Sequence, residues 1–284
     1  MKEQKNYFYL NGEIKQESDI RISPFDRGFQ FADGIYETLR WDNGKLFQLE
    51  AHLKRLERSL SEIKINFKGF DDIENIISEL VRLNNFSEHL LVYMQITRGT
   101  FYPRQHFFPP KEVQPTVFIS VSPLKRNLKA LNEGIKVILE KDIRWTRCDI
   151  KSISLLPNIL ARQKAVEKNA AEAIFVRDGL ITEGTHTNFF GVKDGKVYTA
   201  PLSGFILPGV TREVVLDICK QRNIPVAEEP INQNELKDYG EFMITGTISE
   251  VTPVIRIDEM KIGNGKPGEI ALEIQSALNK IMLE

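Results

Sequence analysis

Four dipeptides, Asn11-Gly12, Asn43-Gly44, Asp178-Gly179 and Asp194-Gly195, punctuate this chain, each set between runs that alternate or are rich in β-forming residues. A two-residue hairpin turn needs positive φ at both central positions, which Asn, Asp and Gly adopt with least strain. Residues 35–41 and 45–49 flank one of these turns, while 173–177 and 188–198 frame the later two. The pattern predicts antiparallel pairing and excludes an all-parallel sheet.

Amphipathic stretches separate the hairpins. Leu53, Leu56, Leu60 and Ile63 recur at helical spacing behind Glu50, and Ile73, Ile76, Ile77, Leu80 and Val81 make a second stripe. Three more helices are expected over residues 157–168, 211–221 and 269–282. The polar stretch 122–133 follows a β-rich run and precedes a new apolar strand at 135–139, so it reads as a linker. The expected organisation is α+β in two domains, 1–121 and 134–284.

Composition narrows the partners. Lys plus Arg number 38 against 39 Asp plus Glu, which gives no long-range attraction for nucleic acid or an anionic membrane. The two cysteines, Cys148 and Cys219, suit a reducing compartment. Residues 1–16 lack a signal-like apolar core, and no stretch approaches the roughly 18 apolar residues that span a bilayer. A cytoplasmic protein is expected. His52, His89, His106 and His186 show no zinc-like pairing, so no metal is expected. Gly263-Asn264-Gly265-Lys266-Pro267-Gly268 matches the dinucleotide fingerprint by letter, but no second strand can follow it before Glu284, and it reads as a surface turn. Lys141, Arg144, Arg147 and Lys151 around Trp145 read as a solvated face or a small anion site.

Chemistry-bearing residues lie in four places. Lys151 sits between Ile150 and the run from Ile153, so its stem is a candidate for partial burial. Such burial favours the neutral amine, which attacks carbonyls; the alternative is an ordinary surface lysine. The stretch 182–191, TEGTHTNFFG, offers hydroxyls and backbone N–H groups to a phosphate and a carboxylate, Glu183, to a ring nitrogen, or it is a polar turn. In LPGVTR, residues 207–212, Thr211 stands near a helix N-terminus, a natural phosphate site or an ordinary cap. Thr245-Gly246-Thr247 repeats the theme after a strand.

Taken together these residues resemble the fold-type IV pyridoxal-phosphate (PLP) enzymes, which include D-amino acid transaminases, branched-chain transaminases and aminodeoxychorismate lyases. The resemblance runs in order through RGFQFADGIYE (27–37), EAHLKRL (50–56), QITRGT (95–100), DIRWTRCDIKSISLL (from 142), TEGTHTNFFG, LPGVTR and TGTISEVTPV (245–254). It implies a smaller N-terminal domain and a larger C-terminal domain with a pseudo-barrel. By the same resemblance Lys151 forms the Schiff base and carries protons, while Glu183 faces the pyridine nitrogen. Arg55, Val210, Thr211, Gly246 and Thr247 hold the phosphate, and Leu207 packs on the ring. The family often has serine at Gly246 and a run of serines at Thr185, His186 and Thr187, so this chain departs there.

Residues 102–109, with Arg104 and His106, resemble the loop of D-amino acid transaminases whose arginine and histidine grip the substrate carboxylate with a tyrosine, here Tyr36. Arginine suits that task through its bidentate fork. In that family the loop reaches the neighbouring subunit's site, which implies a homodimer. The expected activity is transfer of an amino group from D-alanine, D-glutamate or D-aspartate to a 2-oxo acid. A branched-chain L-amino acid transaminase would lack the Arg104–His106 pair. An aminodeoxychorismate lyase would eliminate pyruvate, and a non-catalytic PLP-binding protein would give no half-reaction.

Overall fold

A computed structural model describes residues 6–283. The chain divides into two compact units, Met1–Lys125 with Ile150–Ser154, and Arg126–Asp149 with Leu155–Glu284. The stretch 122–133 is not an irregular connector. Its first residues close a strand, and Leu128–Glu133 forms a helix whose N-cap Asn127 accepts from Ala130 N. Its polar composition belongs to a strand end and a capped helix.

In the first unit the hairpin β1 (Tyr7–Leu10) and β2 (Glu13–Gln16) is followed by a short helix, α1 (Arg27–Phe31). Then come β3 (Gly34–Asp42), β4 (Lys45–Leu46), α2 (Leu49–Glu62), α3 (Ile73–Leu83), β5 (Leu90–Thr97) and β6 (Thr116–Pro123). The strands form one antiparallel sheet in the order β2-β1-β6-β5-β3-β4. Leu56, Leu60, Ile73, Ile77 and Leu80 from the two helices pack with Ile35, Leu39, Val92 and Met94 of the sheet, the burial expected of both stripes. His52, Arg55 and Ser59 are buried on α2 as well, so polar groups share its inward face.

The second unit holds α4 (Leu128–Glu133), β7 (Ile135–Lys141), α5 (Leu156–Glu167), β8 (Glu172–Arg177), β9 (Leu180–Gly184), β10 (Asn188–Lys193) and β11 (Lys196–Thr199). It continues with α6 (Val210–Gln221), β12 (Val226–Glu228), β13 (Glu241–Gly246), β14 (Glu250–Ile257), β15 (Met260–Lys261) and α7 (Glu269–Leu283). The sheet runs β12-β11-β10-β13-β14-β7-β8-β9, with β15 on β14. It is mixed: β7 lies parallel to both β8 and β14. β9 passes into β10 through a tight turn, in which Gly184 N donates to the Thr187 carbonyl at 2.7 Å.

All four Asx-Gly pairs close hairpins, with positive φ at both positions, for example Asp178 at 52° and Gly179 at 82°. Residues 263–268 form a turn between β15 and α7. Among the described residues no helix is long and apolar enough to cross a membrane, and no three His, Cys, Asp or Glu side chains gather as a metal site.

Candidate active site

In the first unit the segment carrying Lys151 docks on β3 like an extra strand. Tyr36 N donates to the Lys151 carbonyl at 3.0 Å, Ile153 N to the Gly34 carbonyl at 3.1 Å, and Lys151 N to Ser59 Oγ at 3.3 Å. Ile150 anchors the segment in the core. The Lys151 side chain is half-buried, and its Nζ lies 4.3 Å from the centre of the Tyr36 ring. The structure thus brings Lys151 and Tyr36 together.

Close by is a buried polar cluster. Glu37, fully buried on β3, accepts from Arg55 Nε (2.7 Å) and Nη2 (2.8 Å) and pairs with His52 Nδ1 at 2.9 Å. Burial alone would raise the Glu37 carboxyl, but the Arg55 guanidinium and the His52 bond outweigh it and hold the group down at about 2. Burial pushes His52 below its ordinary value. Arg55 is therefore fixed in orientation by a permanently charged carboxylate, and Lys151 adds its charge to the field at Glu37.

Arg104 and His106 stand on an exposed loop of the same unit, both against Phe31. Among the described residues neither reaches Tyr36 by a hydrogen bond or ring contact.

The second unit builds a different set around Glu183, on β9. Its Oε1 accepts from Arg144 Nη1 at 2.5 Å, and its Oε2 from Leu207 N at 2.9 Å and Asn188 Nδ2 at 3.3 Å. Burial pushes the carboxyl up to about 7, against the opposing pull of Arg144. Arg144 is itself buried and held by Asp142 through Nε and Nη2, both at 2.9 Å, which raises its already high value further despite burial. Within the cluster around Trp145, Lys141 and Trp145 are exposed, but Arg144 is neither solvated nor free for an anion: two buried carboxylates occupy its guanidinium.

Leu207 and Asn188 also bond each other, Nδ2 to carbonyl at 3.0 Å. A Cβ at Gly209 would collide with Asn188 Oδ1, so only glycine allows this close approach. Gly209 is the N-cap of α6 and supplies no side-chain cap, which leaves the first N–H groups of the helix, from Val210 and Thr211, for an anion. Thr211 is the helix's second residue, two positions after the N-cap Gly209, so it is not the cap, the second of its two readings.

Thr185 and Thr187 give their hydroxyl protons to the buried Glu172, at 2.6 and 3.2 Å, and His186 Nδ1 lies 3.0 Å from the same carboxylate. Both hydroxyls thus direct their protons to Glu172. Gly246 lies beside this turn; a Cβ on it would meet the His186 carbonyl at 3.4 Å and Thr187 Cγ2 at 3.6 Å, ordinary contacts. Thr247 follows at the end of β13, half-buried, and Thr245 Oγ1 is buried with no partner.

In the second unit these donors fit PLP: an uncapped helix N-terminus and the orphaned Thr245 hydroxyl suit a phosphate, and a buried carboxylate suits a protonated ring nitrogen. In the first unit, taken by itself, the half-buried Lys151 amine suits an aldehyde. Sequence reasoning singled out Lys151, Glu183, Leu207, Val210 and Thr211 but missed Arg144, Asn188, Glu37 and His52. His52 and Arg55, three apart on one helix face beside the apolar stripe, were the available signal.

Comparison with known proteins places these features. The family described as amino-transferase class IV matches residues 34–257. D-alanine aminotransferase of Staphylococcus haemolyticus is 40% identical over 96% of each chain. The D-alanine aminotransferase of Bacillus licheniformis is 39% identical, also over 96% of each chain. Among solved structures, the branched-chain amino acid aminotransferase of Escherichia coli superposes with a TM-score of 0.89 at 24% identity, covering 97% of this chain and 94% of that one. At that identity the likeness speaks for the fold, which is the α+β fold expected above.

Proposed function

Because the chain belongs to the class IV aminotransferase family, we propose that it is a PLP-dependent D-amino acid transaminase, moving the amino group of D-alanine, D-glutamate or D-aspartate to a 2-oxo acid. What carries this reading is near full-length similarity to D-alanine aminotransferases in a chain that also holds Arg104 and His106 together on one ring.

When bound, PLP supplies an electron sink for the charge that develops at the substrate Cα. Lys151 holds the cofactor through its amine and, once released, moves a proton at that Cα. The docking of its backbone on β3 and Ser59 limits where the amine can swing. Glu183 keeps the ring nitrogen protonated, and Arg144 keeps Glu183 available as the anion. Arg55, Val210, Thr211, Gly246 and Thr247 are assigned to the phosphate and Leu207 to the ring face. Tyr36, Arg104 and His106 take the substrate carboxylate, whose position decides which hydrogen faces Lys151.

The enzyme acts as a homodimer in the cytoplasm, with the Arg104 loop serving the neighbouring subunit. Supporting this, Phe29, Tyr102 and Phe107 are 79%, 70% and 69% exposed, large aromatic side chains of the kind subunit interfaces bury. Both cysteines are free thiols.

The test mixes the PLP-loaded enzyme rapidly with D-alanine or with L-leucine and follows the visible absorbance of the lysine-bound cofactor. Loss of that band with D-alanine alone is expected. Loss only with L-leucine would reassign the enzyme to branched-chain substrates, and no change with either would favour the lyase or a non-catalytic protein. Lys151→Ala should abolish both the band and turnover; retained turnover would remove the central assignment.

A further inference from the structure

The loop bearing Arg104 and His106 is exposed, yet it is held from beneath by residues to which the resemblance assigned no role. Arg27, the buried first residue of α1, donates from Nη1 to the carbonyls of Gln105 (2.7 Å) and Phe107 (3.3 Å) and from Nη2 to that of His106 (3.5 Å). Its Nε donates to Asp33 Oδ2 at 2.8 Å. Asp33 also takes Arg98, with Nε on Oδ2 at 2.8 Å and Nη2 on Oδ1 at 2.9 Å, so one carboxylate orients two guanidiniums. Arg98 in turn grips the carbonyls of Ile63 and Lys64 just past α2, at 2.7 and 3.0 Å, and lies 3.7 Å over the Phe108 ring.

The side chains are set by a second device. Around the Phe31 ring lie the Arg104 guanidinium at 4.2 Å, the Arg27 guanidinium at 4.7 Å and the His106 ring at 5.4 Å. Cation–π attraction holds a guanidinium over such a face without using its N–H fork, which stays able to meet a carboxylate.

We propose that Arg27 and Phe31 are the positioning residues of the substrate-carboxylate grip. Arg27 sets the backbone of residues 105–107, and Phe31 sets the Arg104 and His106 side chains. The inference rests on the assignment of Arg104 and His106 to that grip. An exposed loop is mobile by default, and a misplacement of about 1 Å in a substrate-positioning group costs up to about 100-fold. Three successive carbonyls tied to one buried guanidinium remove that freedom.

The experiment uses the PLP-loaded full-length enzyme and the variants Arg27→Gln, Phe31→Leu, Arg104→Ala and Arg27→Gln/Arg104→Ala. Amide hydrogen exchange over residues 104–108 and the KM and kcat for D-alanine are measured on each. Arg27→Gln should speed that exchange at least about tenfold and raise KM about tenfold with kcat nearly unchanged, as expected when uniform binding is lost. On the Arg104→Ala background its effect on KM should be clearly smaller than in wild type, because part of it passes through Arg104 and only the part through His106 remains. Phe31→Leu, which removes a half-exposed ring and leaves Arg27 in place, should raise KM without altering exchange. Unchanged exchange in Arg27→Gln, unchanged KM in both single variants, or KM effects that multiply in the double variant would overturn the proposal. If Arg104→Ala alone leaves KM unmoved, the grip assignment fails by itself. Faster exchange in Arg27→Gln would then support only the hold on the loop.

Discussion

The carboxyl of Glu183 should make the stability of the cofactor-free protein depend on pH, and Glu183→Gln should remove that dependence. Burial lifts the group from the ordinary glutamate value of 4.5 to about 7. A carboxyl whose folded value lies above its unfolded one binds its proton more tightly in the folded protein. Its contribution is therefore complete below pH 4.5 and is lost as pH rises through about 7. At about 1.4 kcal/mol per pH unit, that interval amounts to about 3 kcal/mol. His52, pushed down by burial, titrates with the opposite sign, and Glu37, Asp142 and Glu172, all held low, act only at more acid pH. Comparing wild type with Glu183→Gln cancels those groups. The variant should fold, because Arg144 keeps Asp142 through two bonds. Urea unfolding at pH 5 and pH 8 is the assay. Between those pH values wild type should lose about 2.5 kcal/mol more than the variant, with most of the excess gone when PLP is bound and its ring proton favours the anion. Parallel pH profiles for the two cofactor-free proteins would refute the reasoning.

Arg144→Met should destabilise the protein by about 3–5 kcal/mol at pH 8, since it strands a buried Glu183 and weakens the hold on Asp142; urea midpoints at pH 8 and pH 5 check this, with the smaller loss at pH 5, where Glu183 can protonate. Glu172→Gln should cost about 1–3 kcal/mol by leaving the donors of Thr185, Thr187 and His186 poorly matched, read as a lower thermal midpoint. Gly246→Ser should fold normally, because a Cβ there meets only ordinary contacts, and should slow loss of PLP on dialysis by adding a hydroxyl to the phosphate site. A serine variant that loses PLP faster would remove Gly246 from that site.

Local chemistry made much of the fold legible. Each Asx-Gly pair carries its own reason to turn, since positive φ is a property of those residues and not of their neighbours. The helix stripes at Leu53–Leu60 spacing and Ile73–Val81 spacing likewise follow from a period of 3.6 within one segment. For Lys151 and Glu183 the local signal was weak, an apolar neighbourhood for one and a polar turn for the other, and the order of motifs along the chain carried most of the expectation. The parallel pairing of β7 with β8 and β14 was not readable, since it joins segments far apart in sequence. Nor was the return of Ile150–Ser154 to the first unit, which depends on open hydrogen-bonding groups along β3 and on Ser59. Charge was hardest of all. In sequence Arg144 is one basic residue among several near Trp145, and Glu37 one acid in an apolar strand. Tertiary packing alone set Arg144 against Glu183 and closed Arg55 and His52 around Glu37. Removal from water, which no linear pattern records, then decided what those charges do: it lifts Glu183 to about 7, while a neighbouring guanidinium holds Glu37 at about 2.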